Sequence, residues 1–388
     1  MLKDLRKKLT GILEKGPMGL YNEKVFQALV GLFIALLVME VSLRLFPAQL
    51  SKARLLSAVY CNYRFEPDPF LVRKLKPNLD FNIVGKEFSY PLHTVSLGYE
   101  GIGFRDDGIN SECFAIALGD SFTEGVIDSE NLWVELLEKK TGLDFVNMGE
   151  ARYSPIQEVR MLQKYGAPLK PKLVLWAFYQ NDFSDSYDTN KRLREWMEGK
   201  PIHSGSENWL IQHSWVCRVF NYIRTYRRAK SEERGDNSQL SPYPYKDGRL
   251  SLVFYPSFLE RNIDRLVMQE GCKLTKESLL EAKAICQNIK ATLVVILIPC
   301  KEQSYWHIVK GLIKDSENYD IDQLNTLMNN FCEEQGITCL DLTPIFREHS
   351  RKQEQLYYTF DAHWNKEGNH LAAEAILSYL RQEKLLSQ

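Results

Sequence analysis

Gly119-Asp120-Ser121-Phe122-Thr123-Glu124-Gly125 is the stretch around which the rest of the chain falls into place. It follows the apolar run from Phe114 to Leu118, the kind of segment that forms a strand buried on both faces. It precedes an amphipathic segment from Leu132 to Lys140, expected to be a helix. A serine on a tight strand-to-helix turn sits at the carboxyl edge of a sheet, where open α/β folds bind ligands. Gly119 and Gly125 allow the positive φ and close backbone approach that such a turn needs. The bland alternative is an ordinary βα turn with Ser121 as a helix cap.

The chain has 388 residues, of which 44% are hydrophobic, and a formal net charge of −1. That is enough to bury one large core or two modest ones. Without a basic stripe carrying interleaved aromatics, nucleic acid is not an expected partner. Eight cysteines lie scattered, and none has C-x-x-C or Cys/His zinc spacing, so neither a metal nor a cofactor is expected. Cys332 and Cys339 are the closest pair; their spacing fixes no connectivity, and buried free thiols are the alternative.

Residues 1–24 are polar and basic. Val25 to Leu43 then forms a nearly unbroken apolar run, long enough as a helix to match the hydrocarbon core of a bilayer. The division read here is a cytoplasmic basic segment over 1–24 and a transmembrane signal anchor over 25–46, with everything beyond outside the cytoplasm. The long flank and the lack of a clear cleavage site weigh against a removable signal peptide. Arg44, one turn after Glu40, can pair with it at the interface.

Residues 47–112 read as a β-rich lead-in that packs on the main domain, with Pro67, Pro69, Pro77 and the stretch Tyr99 to Arg105. From 113 to 388 strands alternate with helices. Strands are expected at 114–118, 144–148, 172–178, 292–298 and 337–342. Helices are expected at 131–141, 154–166, 276–290, 320–335 and 366–382. This alternation, with continuous apolar strands such as Leu293 to Ile298, predicts a doubly wound parallel sheet with right-handed crossovers. The pattern breaks at 183–274, an insertion with three tryptophans, a Tyr-rich run over 241–245 and an Asp247-Gly248 hairpin signal. Placed after the third strand, it reads as a cap near Ser121, with a mobile loop at 228–238.

Three later segments end at the same sheet edge. Asn147-Met148-Gly149-Glu150 closes the second strand, and Gly149 can present its backbone N–H there. Phe178-Tyr179-Gln180-Asn181-Asp182 closes the third, with the Asn181 amide as a second donor. Asp361-Ala362-His363-Trp364-Asn365 stands before the last helix. Asp361 can hold the imidazole by Nδ1–H and leave Nε2 free as a base. Trp364 is expected to pack beneath the site, and His93, His203, His213, His307 and His349 show no partner in sequence.

With these blocks in order, the chain resembles the SGNH/GDSL hydrolase superfamily. Gly119-Asp120-Ser121 matches its first block, Gly149 its second-block glycine, Asn181-Asp182 its third block and Asp361 with His363 its fifth. Tyr179 stands where the third block has glycine, which puts acceptance of bulky groups at that side in doubt. The resemblance covers roughly 112–382, outside the insertion. The anchor resembles that of membrane-tethered bacterial members, and the Asp-x-His-Trp-Asn form resembles the alginate-type O-acetyltransferase branch.

The resemblance implies a flavodoxin-like SGNH fold with Ser121 as nucleophile, His363 as base and Asp361 as its orienting carboxylate. The Ser121 and Gly149 backbone N–H groups and the Asn181 amide would form the oxyanion hole, while Asp120 would brace the turn. The absence of G-x-S-x-G around Ser121 argues against the α/β-hydrolase arrangement. The expectation is a membrane-tethered serine esterase acting on an O-acyl, chiefly O-acetyl, ester of an extracytoplasmic glycan or lipid. An O-acyltransferase with the same triad is the first rival. A non-catalytic envelope glycan-binding protein is the second.

Overall fold

The computed structural model describes residues 18–109, 112–200, 209–233, 242–255, 258 and 265–386. Most of the basic N-terminal segment, His203 and residues 234–238 of the expected loop lie outside the described residues, while 228–233 of that loop are helical instead.

Helix α1 (Met18–Leu45) contains the apolar run. Helix α2 (Arg54–Asn62) leads into two antiparallel hairpins, β1 (Phe65–Asp68) with β2 (Val72–Leu75) and β3 (Asp80–Val84) with β4 (Ser89–His93). Then the main domain begins with β5 (Cys113–Leu118), the one-turn helix α3 (Ser121–Glu124) and α4 (Trp133–Thr141). It continues with β6 (Asp144–Asn147), α5 (Pro155–Met161) and β7 (Leu173–Tyr179). The insertion holds α6 (Asp182–Met197), α7 (Trp209–His213), α8 (Trp215–Glu233) and the hairpin β8 (Tyr243–Asp247) to β9 (Leu250–Phe254). Helix α9 (Leu266–Ile289), β10 (Thr292–Ile298), α10 (Gln323–Glu334), β11 (Thr338–Asp341), α11 (Thr343–Arg351) and α12 (Lys366–Gln382) complete it.

All five expected strands form one parallel sheet in the order β11-β10-β7-β5-β6. Counted along the main domain this is 2-1-3-4-5, the flavodoxin-like order, with its switch point between β5 and β7. Ser121 follows β5, so the sequence delivers it to that crevice.

Strand alternation divides the core into two layers. Phe114, Ala117, Leu175, Ala177, Val294 and Ile296 face the layer that includes α4 and α12. Ile116, Leu118, Val174, Trp176, Val295 and Leu297 face the layer that includes α5, α9 and α10. A third cluster joins the lead-in to two other parts of the chain: Leu43 of α1, Tyr60 of α2, Phe81 and Leu92 of the second hairpin, and Val216 and Val219 of α8. All eight cysteines are free thiols.

Candidate active site

Gly119 has φ 150°, and a Cβ there would lie 2.3 Å from Thr123 Oγ1 and 3.0 Å from the Ala177 carbonyl. Only glycine lets the chain turn this tightly between β5 and α3. Asp120 then caps α3, its carboxylate accepting the Phe122 N–H at 2.9 Å. Ser121 is thereby the first residue of the helix, its side chain raised out of the core.

His363 arrives from the loop before α12. Its Nε2 lies 2.7 Å from Ser121 Oγ, and its Nδ1 lies 2.6 Å from Asp361 Oδ1. The same carboxylate oxygen accepts the His363 backbone N–H at 2.9 Å, which ties the two-residue spacing to one orientation. The Phe122 ring supports the imidazole from beneath at 4.9 Å, with Trp364 edge-on to Phe122 at 5.1 Å. Burial draws the His363 pKa down, but the hydrogen bond and charge of Asp361, with Asp120 and Glu124 behind, outweigh it and leave it raised. Burial likewise raises Asp361, yet its bond and charge contact with His363 leave it below the ordinary carboxylate value. This chain of contacts can move a proton from Ser121 to a base whose charged form is stabilised.

Gly149 and Asn181 both lie beside the serine turn, but their donors have partners. The Gly149 N–H is donated to Asn147 Oδ1 at 2.9 Å. A Cβ at 149 would sit 2.4 Å from Thr123 Cβ, so glycine here permits β6 to close onto α3. Asn181 donates Nδ2 to Asp185 Oδ2 at 2.7 Å and also engages Asp120. Tyr179 does not narrow the cleft from above: it is buried against Phe122, ring centroids 4.6 Å apart.

Beneath the turn lies a group of buried carboxyls. Burial is the main cause raising Glu158 and Asp182 well above the ordinary range; the Asp120 charge adds to both, and the Glu158 charge adds to Asp182. Burial also raises Asp120, although the Phe122 N–H, His363 and Asn181 pull the other way.

The cleft at Ser121 is shallow, lined by Phe122, Gly125, Val126, His363, Trp364 and Asn369, and among the described residues none comes from 183–274. A larger cavity of about 480 Å³ lies elsewhere, between the lead-in, the β6–α5 loop and α8, with Arg64, Arg73, Arg152 and Arg192 on its walls. A neighbouring one of about 270 Å³ shares three of these arginines and is bounded by Asp185, the partner of Asn181. Ser121 and His363 line the smaller cleft, which shares no lining residue with the two arginine-lined cavities.

Several residues that hold this site give no sequence signal of their own. The Glu87 carboxylate, on the β3–β4 turn, accepts the backbone N–H groups of Thr359, Phe360 and Asp361. Buried Lys301 donates to the carbonyls of Val253 and Thr359, and burial lowers its pKa to about 8. Buried Arg105, in the Tyr99 to Arg105 stretch, donates to the carbonyls of Glu124, Gly125 and Ile127 and so fixes the exit from α3. Arg64 forms a buried ion pair with Glu124 at 3.0 Å. Among the remaining histidines, His93 pairs with Asp80 and His349 with Glu354.

The sequence model of a family described as SGNH hydrolase-like domain, acetyltransferase AlgX, matches residues 270–388, the part that carries β10, β11, the Asp361–His363 loop and α12. No curated protein matches the chain. Three solved structures show the breadth of the structural similarity. LAE5, an alpha/beta hydrolase enzyme from the metagenome of Lake Arreo, is 14% identical over 72% of this chain and 99% of its own, with TM-score 0.39. The acetyl xylan esterase AlAXEase is 10% identical over 69% and 99%, with TM-score 0.36. A GDSL-like lipase from Bacteroides thetaiotaomicron VPI-5482 is 12% identical over 69% and 88%, with TM-score 0.34. Over residues 270–388 the chain matches an SGNH hydrolase-like domain, a class of ester hydrolases and related acyltransferases.

Proposed function

We propose that this SGNH hydrolase-like chain cleaves an O-acetyl ester of a glycan through an acyl-enzyme on Ser121, at the outer face of a membrane that α1 spans. The observation that carries the reading is the continuous contact Ser121 Oγ to His363 Nε2 and His363 Nδ1 to Asp361. His363 takes the Ser121 proton as Oγ attacks the acetyl carbonyl, then returns it to the departing sugar oxygen. Asp361 holds the imidazole in the tautomer that leaves Nε2 open, and stabilises the imidazolium.

The Ser121 backbone N–H, at the start of α3, is the first oxyanion donor. Gly149 and Asn181 join it once substrate draws their N–H groups from Asn147 and Asp185. The shallow cleft suits a small acyl group, and the separate arginine-lined cavity suits a polar, hydroxyl-rich carrier. An outer location follows from the basic residues before α1, by the positive-inside rule.

The open cleft favours water as the second acceptor, which makes the protein an esterase. A second reading, transfer of the acetyl group to a sugar hydroxyl, is favoured by the acetyltransferase description of the family that matches 270–388. The full chain in detergent is expected to release acetate from a small activated acetyl ester, and Ser121→Ala to abolish this. With acetylated and free oligosaccharides present, free acetate marks the esterase and acetylated acceptor marks the transferase. Unchanged turnover in Ser121→Ala overturns both.

A further inference from the structure

The insertion at 183–274 was expected over the active site, yet its middle part is fastened to the membrane-spanning helix. The Glu40 carboxylate of α1 accepts the Ser214 hydroxyl at 2.9 Å and the backbone N–H groups of Trp215 and Val216 at 3.2 and 2.9 Å. These are the donors at the start of α8 that no helical carbonyl can satisfy. Arg44, bonded to Glu40 at 2.8 Å, donates onward to the His213 carbonyl at the end of α7. One ion pair on α1 therefore grips both sides of the α7–α8 junction. Leu36, Met39 and Leu43 pack in the same cluster as Val216 and Val219.

The position of that grip along α1 fixes its depth. The apolar span Lys24–Leu45 is 22 residues long. At about 1.5 Å per residue it matches the hydrocarbon thickness of a bilayer with little to spare. Glu40 lies five residues before its outer end, roughly 7 to 8 Å inward. A carboxylate at that level is tolerated when fully paired, and here it is. The α7–α8 junction that pairs it must stand at the same level.

The exposed side chains around the junction fit that level. Trp209 is 66% exposed, Leu210 53% and Phe220 59%, beside Leu45 at 66% and Phe46 at 51%. The Trp209 ring stacks on His213 at 4.8 Å, held outward. Arg224 and Arg227 are exposed further along α8. Apolar and aromatic side chains flanked by arginines, at the end of an apolar span, are the composition of a lipid headgroup boundary.

We propose that the α7–α8 junction is seated in the outer leaflet of the bilayer that α1 crosses, with Trp209, Leu210 and Phe220 at the headgroup–acyl boundary. The occupant of this apolar surface is lipid. The seat rests on the anchor reading of α1, and it holds the catalytic domain at a fixed height and tilt instead of leaving it on a loose tether.

The test uses the full chain reconstituted in vesicles of phosphatidylethanolamine and phosphatidylglycerol, with a fraction of the lipid brominated near the glycerol end of the acyl chains. Carbonate washing first reports the anchor. Tryptophan fluorescence of the wild type is expected to be quenched, and Trp209→Phe to lose most of that quenching while retaining esterase activity. Trp209→Phe with Leu210→Trp is expected to recover it. A protein that stays in the washed membrane but is quenched equally with and without Trp209 overturns the seat alone. A protein released by carbonate overturns the anchor and the seat with it.

Discussion

The Glu87 carboxylate accepts the backbone N–H of Asp361 at 2.9 Å, and those of Thr359 and Phe360 at 2.7 and 2.6 Å. Three charge-assisted bonds from one side chain fix the loop that presents Asp361 to His363. Lys86, next to Glu87, lies over the Phe360 ring at 3.0 Å, and Lys301 holds the Thr359 carbonyl from the opposite side. The lead-in over 47–112 is thus part of the construction of the site. Its second hairpin sets one side of the histidine loop, while Arg64 and Arg105 set the serine turn.

Glu87→Ala is expected to lower kcat on the order of 10-fold to 10²-fold, the penalty for small misplacement of a reacting group. KM for a small acetyl ester should change little, since Glu87 touches no part of the Ser121 cleft. Glu87→Gln keeps one accepting oxygen and should fall between the two. An equal loss of folding stability and activity in all variants, with kcat per folded molecule unchanged, would refute a positioning role.

The pH profile follows from the charges around His363. The imidazole must be neutral to accept the Ser121 proton. Burial favours that form, but Asp361, Asp120 and Glu124 outweigh it, so the folded pKa lies above the ordinary 6.5. The acid limb of kcat/KM should therefore be centred above 6.5. Asp361→Asn removes the largest raising cause and should move the limb to lower pH as it lowers the plateau. A limb that stays in place in Asp361→Asn would show that another group titrates.

What the sequence discloses divides along physical lines. The five sheet strands are legible because each is buried on both faces and therefore nearly all apolar, as in Leu293 to Ile298. The contacts among Ser121, His363 and Asp361 are legible because their blocks end strands or precede a helix at one sheet edge. Helix α9 starts at Leu266, ten residues before the expected 276, because its first turns include Gly271, which reads as a break. That glycine is required by packing: a Cβ there would lie 1.9 Å from the Phe183 carbonyl of α6. The helices of the insertion are obscured for a related reason. They bury their faces against α1, α2 and α9, so no single core-facing stripe marks them. Glu87 and Asp361 are 274 residues apart, and no local pattern connects them.

Asn181 decides between two roles for the third block. Its amide is held by Asp185 at 2.7 Å in the free protein, so it acts on the oxyanion only after that bond is exchanged. Asn181→Ala should lower kcat by about 10²–10³ with a much smaller change in KM, as for loss of one oxyanion donor. Asp185→Ala, which releases the amide, should be tolerated far better. If both variants lose activity alike, the Asn181–Asp185 pair braces the loop and the oxyanion is held elsewhere.

The Arg64–Glu124 pair joins the lead-in to the last residue of α3, three residues from Ser121, with side-chain exposures of 7% and 3%. Glu124 also accepts the Ala151 N–H at 2.6 Å, so one carboxylate ties together α2's exit, the serine turn and the loop after β6. Glu150 stands beside it, and burial together with the Glu124 charge raises its pKa well above the ordinary range. Arg64→Met keeps much of the apolar bulk but leaves the Glu124 charge buried without its cation. Loss of one partner of a buried pair costs about 3–5 kcal/mol, more than the pair itself contributes. Arg64→Met should lower the urea midpoint accordingly, and Glu124→Gln added to it should recover part of the loss by removing the orphaned charge. If the double variant is no more stable than Arg64→Met alone, the loss comes from packing of the arginine stem and not from an unpaired carboxylate.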